Sequence, residues 1–142
     1  MQGIVFQKLT LGVAGLTALG IGLAITLAPR VFYAGYGIEL GADARLLSEL
    51  RAPGASLASL GVVIFAGALR PDMARVSAAL GAIVFLAFST GRIVSMAVDG
   101  WPGGSIVTAL VIEVAIGLLC LLALIKQRRL AFPRSAFALS RG

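Results

Sequence analysis

The stretch STGRIVSMAVDGWPGG, residues 89–104, decides the fold, because an apolar helical segment ends in it and a tight turn follows. An aspartate-glycine pair and a proline stop the segment, and a second apolar run begins at about Ile106. So short a connection forces the two segments to lie antiparallel as neighbours. Arg92 lies inside the first segment, seven residues before Asp99, among residues that are otherwise mostly apolar.

The amino-acid composition indicates that this chain is surrounded by a lipid bilayer and not by water. Of the 142 residues, 59% are hydrophobic and 13% are charged, and the mean hydropathy is +1.02. Soluble domains contain about 45–50% apolar and about 25% charged residues. A soluble protein of this length has too little interior to bury so much apolar surface, and the length corresponds to one domain.

Four segments are long and apolar enough to cross a hydrocarbon core, which needs about 20 residues of helix. They cover about residues 9–28, 52–69, 76–98 and 106–125. We therefore predict an all-α membrane protein, an antiparallel bundle of four transmembrane helices with a longer first extracytoplasmic loop. Residues 1–125 form the transmembrane domain, and residues 126–142 form a basic cytoplasmic tail. The first apolar run exceeds the roughly 7–15 residues of a signal peptide, so we expect it to be retained.

The distribution of lysine and arginine predicts the orientation. Eight basic residues fall on one side of the predicted membrane and three on the other. The larger set is Lys8, Arg70, Arg75, Lys126, Arg128, Arg129, Arg134 and Arg141, and the smaller set is Arg30, Arg45 and Arg51. We expect both termini in the cytoplasm of a bacterial inner membrane, with the first loop outside.

The net charge of +6 is best explained by a cytoplasmic face that meets anionic phospholipid, and not by nucleic acid. The tail residues Lys126, Arg128, Arg129 and Arg134 are predicted to contact that lipid or a partner protein. At the other side of the membrane, Tyr33, Tyr36 and Trp101 are predicted to anchor the loops at the interface, where aromatic residues are enriched. The segment DARLLSELR, residues 43–51, is typical of a short helix that lies on the bundle or leads into the second span.

Five ionisable residues are predicted to meet near the outer end of the bundle: Glu49, Arg51, Arg92, Asp99 and Glu113. Arg92 in the third span and Glu113 in the fourth lie at similar depth on antiparallel neighbours, so an ion pair is expected between them. The cluster has two interpretations. It fixes three helices in register, or it forms the floor of an outward-facing cleft for a polar or amphipathic ligand, because charged residues inside membranes are often functional.

The pattern SELRAPGASLASLGVVIF, then STGRIVSMAVDGWP, then VIEVAIGLL resembles the bacterial four-helix membrane family known as domain of unknown function 4345. The positions that carry the resemblance are Glu49, Arg51, Ala52, Gly91, Arg92, Asp99, Gly100 and Glu113. It extends to about Lys126 and leaves the basic tail outside. The resemblance implies an integral inner-membrane protein with four helices and brings no established activity.

For function, the primary hypothesis is a non-catalytic accessory or scaffold subunit that packs against a larger membrane-protein complex. The alternative is a binding or transport protein for a lipid, quinone or other amphiphile at the outer polar cluster. An enzyme is not expected, because no nucleophile–base pair or phosphate-binding glycine loop is visible. No cofactor or metal is expected either, since the chain has no histidine and one cysteine, Cys120.

Overall fold

The computed structural model describes residues 2–131, with side-chain positions for residues 3–127. The described part contains five α-helices: α1, Gln2–Leu27; α2, Pro29–Ala34; α3, Ala44–Leu69; α4, Ala74–Asp99; and α5, Gly104–Ala131. It contains no strand within residues 2–131. The four long helices each have the length and hydropathy of a membrane span.

Proline, aspartate and glycine set most of the helix ends. α1 stops before Pro29, which opens α2 at a position where its missing N–H has no helical partner to lose. Asp43 caps α3 by accepting a hydrogen bond from the N–H of Arg45 at 2.9 Å. Gly100 and Gly103, with φ of +95° and +92°, turn the chain between α4 and α5.

The helices extend beyond the predicted spans. α3 begins at Ala44, so residues 43–51 are not a separate segment but lead directly into the second span. Pro53 lies inside this helix, where it removes the hydrogen bond to the carbonyl four residues earlier. α1 already begins at Gln2, and α5 continues past Lys126 to Ala131. The six-residue α2 was not predicted.

The helices pack as two hairpins. α1 lies along α3, and α4 lies along α5. The two hairpins meet through α3 and α4 and, more weakly, through α1 with α4 and α5; α3 and α5 make no close approach in the described part of the chain. Glycine lets α1 and α3 touch backbone to backbone, because a Cβ at Gly22 would meet Ala58 and one at Gly61 would meet Leu19.

The shared core runs from the middle of the bundle toward the chain termini, and we call this part the core half. Leu11, Ile64 and Cys120 are fully buried there. The Ser77 hydroxyl joins α4 to α3 by donating a hydrogen bond to the carbonyl of Val63 at 2.7 Å. The opposite part, with the first loop (residues 28–43) and the α4–α5 turn (residues 100–103), is the loop half.

Large apolar side chains cover the outside of the bundle. Exposed leucine, isoleucine and valine occur on every long helix, for example Leu16, Val62, Ile83 and Val111. A helix that is apolar on its outward face requires an apolar solvent. The chain is therefore a multi-pass membrane protein, and the predicted all-helical four-span bundle is confirmed.

Candidate functional site

The structure joins two charged side chains inside the loop half, Arg92 of α4 and Glu113 of α5. Arg92 Nε donates to Glu113 Oε2 at 2.8 Å, and Arg92 Nη2 donates to Oε1 at 2.9 Å. This bidentate geometry matches the planar guanidinium to the planar carboxylate and gives a strong, charge-assisted contact. The two residues are matched in depth, about 10 Å and about 13 Å from the adjoining helix ends at a rise of 1.5 Å per residue.

The two partners are buried to different extents. The Glu113 side chain is 10% exposed, whereas that of Arg92 is 27% exposed. A guanidinium has five N–H groups, and among the described residues two of them are donated, both to Glu113. Arg92 therefore satisfies the buried carboxylate and keeps three N–H groups for another acceptor.

The other three residues of the predicted cluster lie apart from this pair. Glu49 and Arg51 are exposed on α3 and form no ion pair with a described residue. Helix packing accounts for the absence of a contact with Glu113, since α3 does not approach α5. Asp99, which is also exposed, accepts a hydrogen bond from Ser95 Oγ at 2.8 Å. Of the five predicted residues, the described structure joins two by an ion pair, Arg92 and Glu113.

A cavity of about 760 Å³ opens beside the pair, and Arg92 and Glu113 form part of its wall. The remaining wall is mainly apolar and comes from α1, the first loop, α3, α4 and α5. The cavity lies in the loop half because the shared core ends below it, at Leu57, Val84 and Phe85. Ligand pockets typically measure about 300–1,000 Å³ and combine an apolar wall with a few polar groups.

Three aromatic rings of the first loop stand on the same wall: Phe32, Tyr33 and Tyr36. The Phe32 ring lies 5.3 Å from Tyr33, edge to face, and 5.4 Å from Tyr36, as centroid distances. Tyr33 and Tyr36 were predicted as interface anchors, and the structure shows them half-buried against the cavity. Sequence analysis missed this role, because α2 ends at Ala34 and Tyr36 follows in a turn, so helical spacing does not relate the three rings.

Two further groups of predicted contacts lie away from the cavity. Trp101 is exposed at the α4–α5 turn, as an interface anchor would be.

Lys126 Nζ lies 4.4 Å from the centroid of the Phe6 ring, a cation–π distance that ties the end of α5 to α1. Arg128 and Arg129 belong to α5, but their side chains are outside the described set, and Arg134 lies outside the described residues. Lipid contact by these basic residues stays a prediction.

The cavity wall provides groups that can bind a ligand. Within residues 2–131, no group of three or more histidine, cysteine, aspartate or glutamate side chains is placed to hold a metal ion. Cys120 is a buried free thiol in the core half and does not line the cavity. What the cavity does offer is a partly open guanidinium, tyrosine hydroxyls and an extensive apolar surface.

A sequence model of the family described as "Domain of unknown function (DUF4345)" matches residues 6–124. The chain belongs to this family. The match spans α1 to α5 and therefore includes both members of the ion pair and every residue of the cavity wall. Comparison with curated proteins and with solved structures gave no match.

Proposed function

We propose that this DUF4345 protein binds an amphiphile in the loop-half cavity. The polar headgroup contacts the Arg92–Glu113 pair, and the apolar portion lies along the aromatic and aliphatic wall. The observation that supports this proposal is the position of a cavity of about 760 Å³ directly beside an ion pair in the span region. Ionisable residues within spans are candidates for function.

The geometry favours binding over a purely structural brace. A pair that only fixed two helices in register would be expected to be closed on all sides, because partly exposed donors in lipid lack partners. Arg92 instead lines the cavity with more than a quarter of its side chain exposed. Its three remaining N–H groups are available to a headgroup that accepts hydrogen bonds.

The accessory-subunit role predicted from the sequence remains the second proposal, and one experiment separates the two. The protein is released gently from its own membrane and weighed by native mass spectrometry. The binding proposal predicts a reproducible small-molecule adduct on the wild-type protein. That adduct should be lost in Arg92→Leu and in Ala109→Phe, which fills the cavity wall from α5 without removing the pair.

The matched control is Arg70→Leu, because Arg70 is paired with Asp72 at an exposed turn far from the cavity. This variant should retain the adduct at the wild-type level. Recovery of wild-type protein without an adduct, and only within a larger assembly, would contradict the binding proposal and support the accessory role.

A further inference from the structure

The charges that face the cavity are balanced within the wall itself. Of the described residues that line it, only Arg92 and Glu113 are charged. They are joined to each other by two hydrogen bonds, so the wall has one positive and one negative charge, which compensate. A balanced ion pair presents dipoles and donors to a ligand, but no net charge for a counterion.

We propose that the ligand of this cavity is an uncharged amphiphile whose headgroup accepts hydrogen bonds, such as an ester or ketone carbonyl. This inference rests on the proposed function and specifies its substrate class. An anionic headgroup at Arg92 would compete with Glu113 and leave a net negative charge beside a mainly apolar wall. A cationic headgroup would leave a net positive charge, and either excess charge is unfavourable where water is scarce.

The hydrogen-bonding groups of the wall fit the same class of ligand. Three N–H groups of Arg92 remain after the bonds to Glu113, and a guanidinium only donates. Tyr33 and Tyr36 line the same cavity, and a tyrosine hydroxyl both donates and accepts. An uncharged carbonyl that accepts from Arg92 therefore completes the site without disturbing the ion pair.

The test compares two lipids that differ in one phosphate group, 1-oleoylglycerol and 1-oleoylglycerol 3-phosphate. They have the same chain and ester, and a phosphate monoester adds about −1.5 to −2 charges at neutral pH. Equal amounts compete for the full-length protein in a non-ionic detergent, and native mass spectrometry counts the two adducts. The wild type should prefer 1-oleoylglycerol by about tenfold, which corresponds to about 1.4 kcal/mol.

Two variants separate charge from headgroup size. Glu113→Gln keeps the shape of the side chain and leaves Arg92 uncompensated, so the preference should shift toward the phosphate by about tenfold or more. Arg92→Gln combined with Glu113→Gln restores a wall without net charge and should again prefer 1-oleoylglycerol. Because the single and the double variant share the substitution Glu113→Gln, the charge at position 92 is what distinguishes them.

The outcomes distinguish the uncharged ligand class from the more general proposal that the cavity binds an amphiphile. If the wild type prefers the phosphate, or if Glu113→Gln leaves the preference unchanged, the uncharged ligand class is overturned while amphiphile binding stands. If neither lipid binds the wild type, the proposed function fails and the inference fails with it. Should Glu113→Gln not fold, as judged by its elution from size-exclusion chromatography, the wild-type competition and the double variant still decide the question.

Discussion

Arg92 and Glu113 illustrate how a charged residue is accommodated in a membrane span. An arginine at the centre of a span costs about 2.5–3.5 kcal/mol by insertion measurements, and less toward the ends. The bidentate contact at 2.8 and 2.9 Å offsets this cost by giving each charge a partner. Glu113 is the more deeply buried partner, so it depends more strongly on the contact.

The first prediction concerns the stability of this pair. Arg92→Ala leaves a buried carboxylate without a partner. In soluble proteins the loss of one member of a buried ion pair costs about 3–5 kcal/mol. Hydrogen-bonded pairs measured in membranes contribute less, about 0.6–1.7 kcal/mol. We expect a loss of about 1–3 kcal/mol, measured by denaturation of the purified protein in mixed detergent. Replacing both residues by leucine should recover much of the loss, because no unpaired charge remains.

The exposed pair of Arg70 and Asp72 is the control, with an N–O distance of 3.2 Å and 65% exposure of both side chains. Arg70→Ala should change the stability by no more than about 1 kcal/mol, as is usual for surface ion pairs. If Arg92→Ala is as mild as this control, the Arg92–Glu113 pair does not stabilise the bundle.

The sequence predicted the position of this pair better than that of its neighbours. Depth along a helix follows directly from residue counting, so Arg92 and Glu113 could be matched in advance. Counting residues does not show which helices are neighbours, and no feature of the sequence indicates that α3 and α5 lie apart. Glu49 and Arg51 were assigned to the cluster by depth alone, and within the described residues they form no ion pair.

At the scale of the helices, the tightest contact is that between α1 and α3. An added Cβ at Gly61 would lie 2.8 Å from Leu19 Cα and 2.9 Å from the carbonyl oxygen of Gly15. These atoms belong to a helical backbone, which has little freedom to move aside. In lipid, where helices gain little from burying apolar surface, such close approach is a principal source of association.

The second prediction is that Gly61→Ala destabilises the bundle by about 1–3 kcal/mol, because an overpacked contact must open. Gly20→Ala is the matched control on α1, since nothing lies within 4 Å of an added Cβ there. The control should be neutral or more stable by up to about 1 kcal/mol, because alanine favours the helix. Thermal unfolding of both variants in detergent measures the difference. Equal effects at the two positions would show that backbone contact is unimportant.

The long helices were predictable because apolar composition and length suffice to define a span. α2 was not, since its six residues are too few to show periodicity. The cavity was also beyond prediction, because its wall combines residues of both hairpins and of the first loop. No single helix contains that information.

The molecule as a whole has a closely packed core half and an open loop half. The α3–α4 turn (residues 70–73) and the shared core join the two hairpins at one end. At the other end, Arg92 and Glu113 connect α4 only to α5, within the same hairpin. The cavity therefore lies between hairpins that the core holds together from below.

The third prediction concerns orientation in the membrane, which we expect from the excess of basic residues on the side of the termini. In a Cys120→Ala background, Gly41→Cys places a thiol in the exposed first loop and Asp72→Cys places one in the exposed α3–α4 turn. A membrane-impermeant maleimide should label the first variant in intact cells and the second only after permeabilisation. The reverse pattern would show that the termini are outside.

The apolar side chains that line the cavity bear on where a ligand would come from. Phe88 and Ile112 line the cavity and are large apolar side chains that stay 43% and 49% exposed. Under the proposed function, an amphiphile would come from the leaflet, where its abundance is a mole fraction of the lipid and not an aqueous concentration. Even a millimolar site, with a binding free energy of about −4 kcal/mol, fills readily from such a reservoir. Under the proposed function, occupancy would follow the composition of the surrounding membrane.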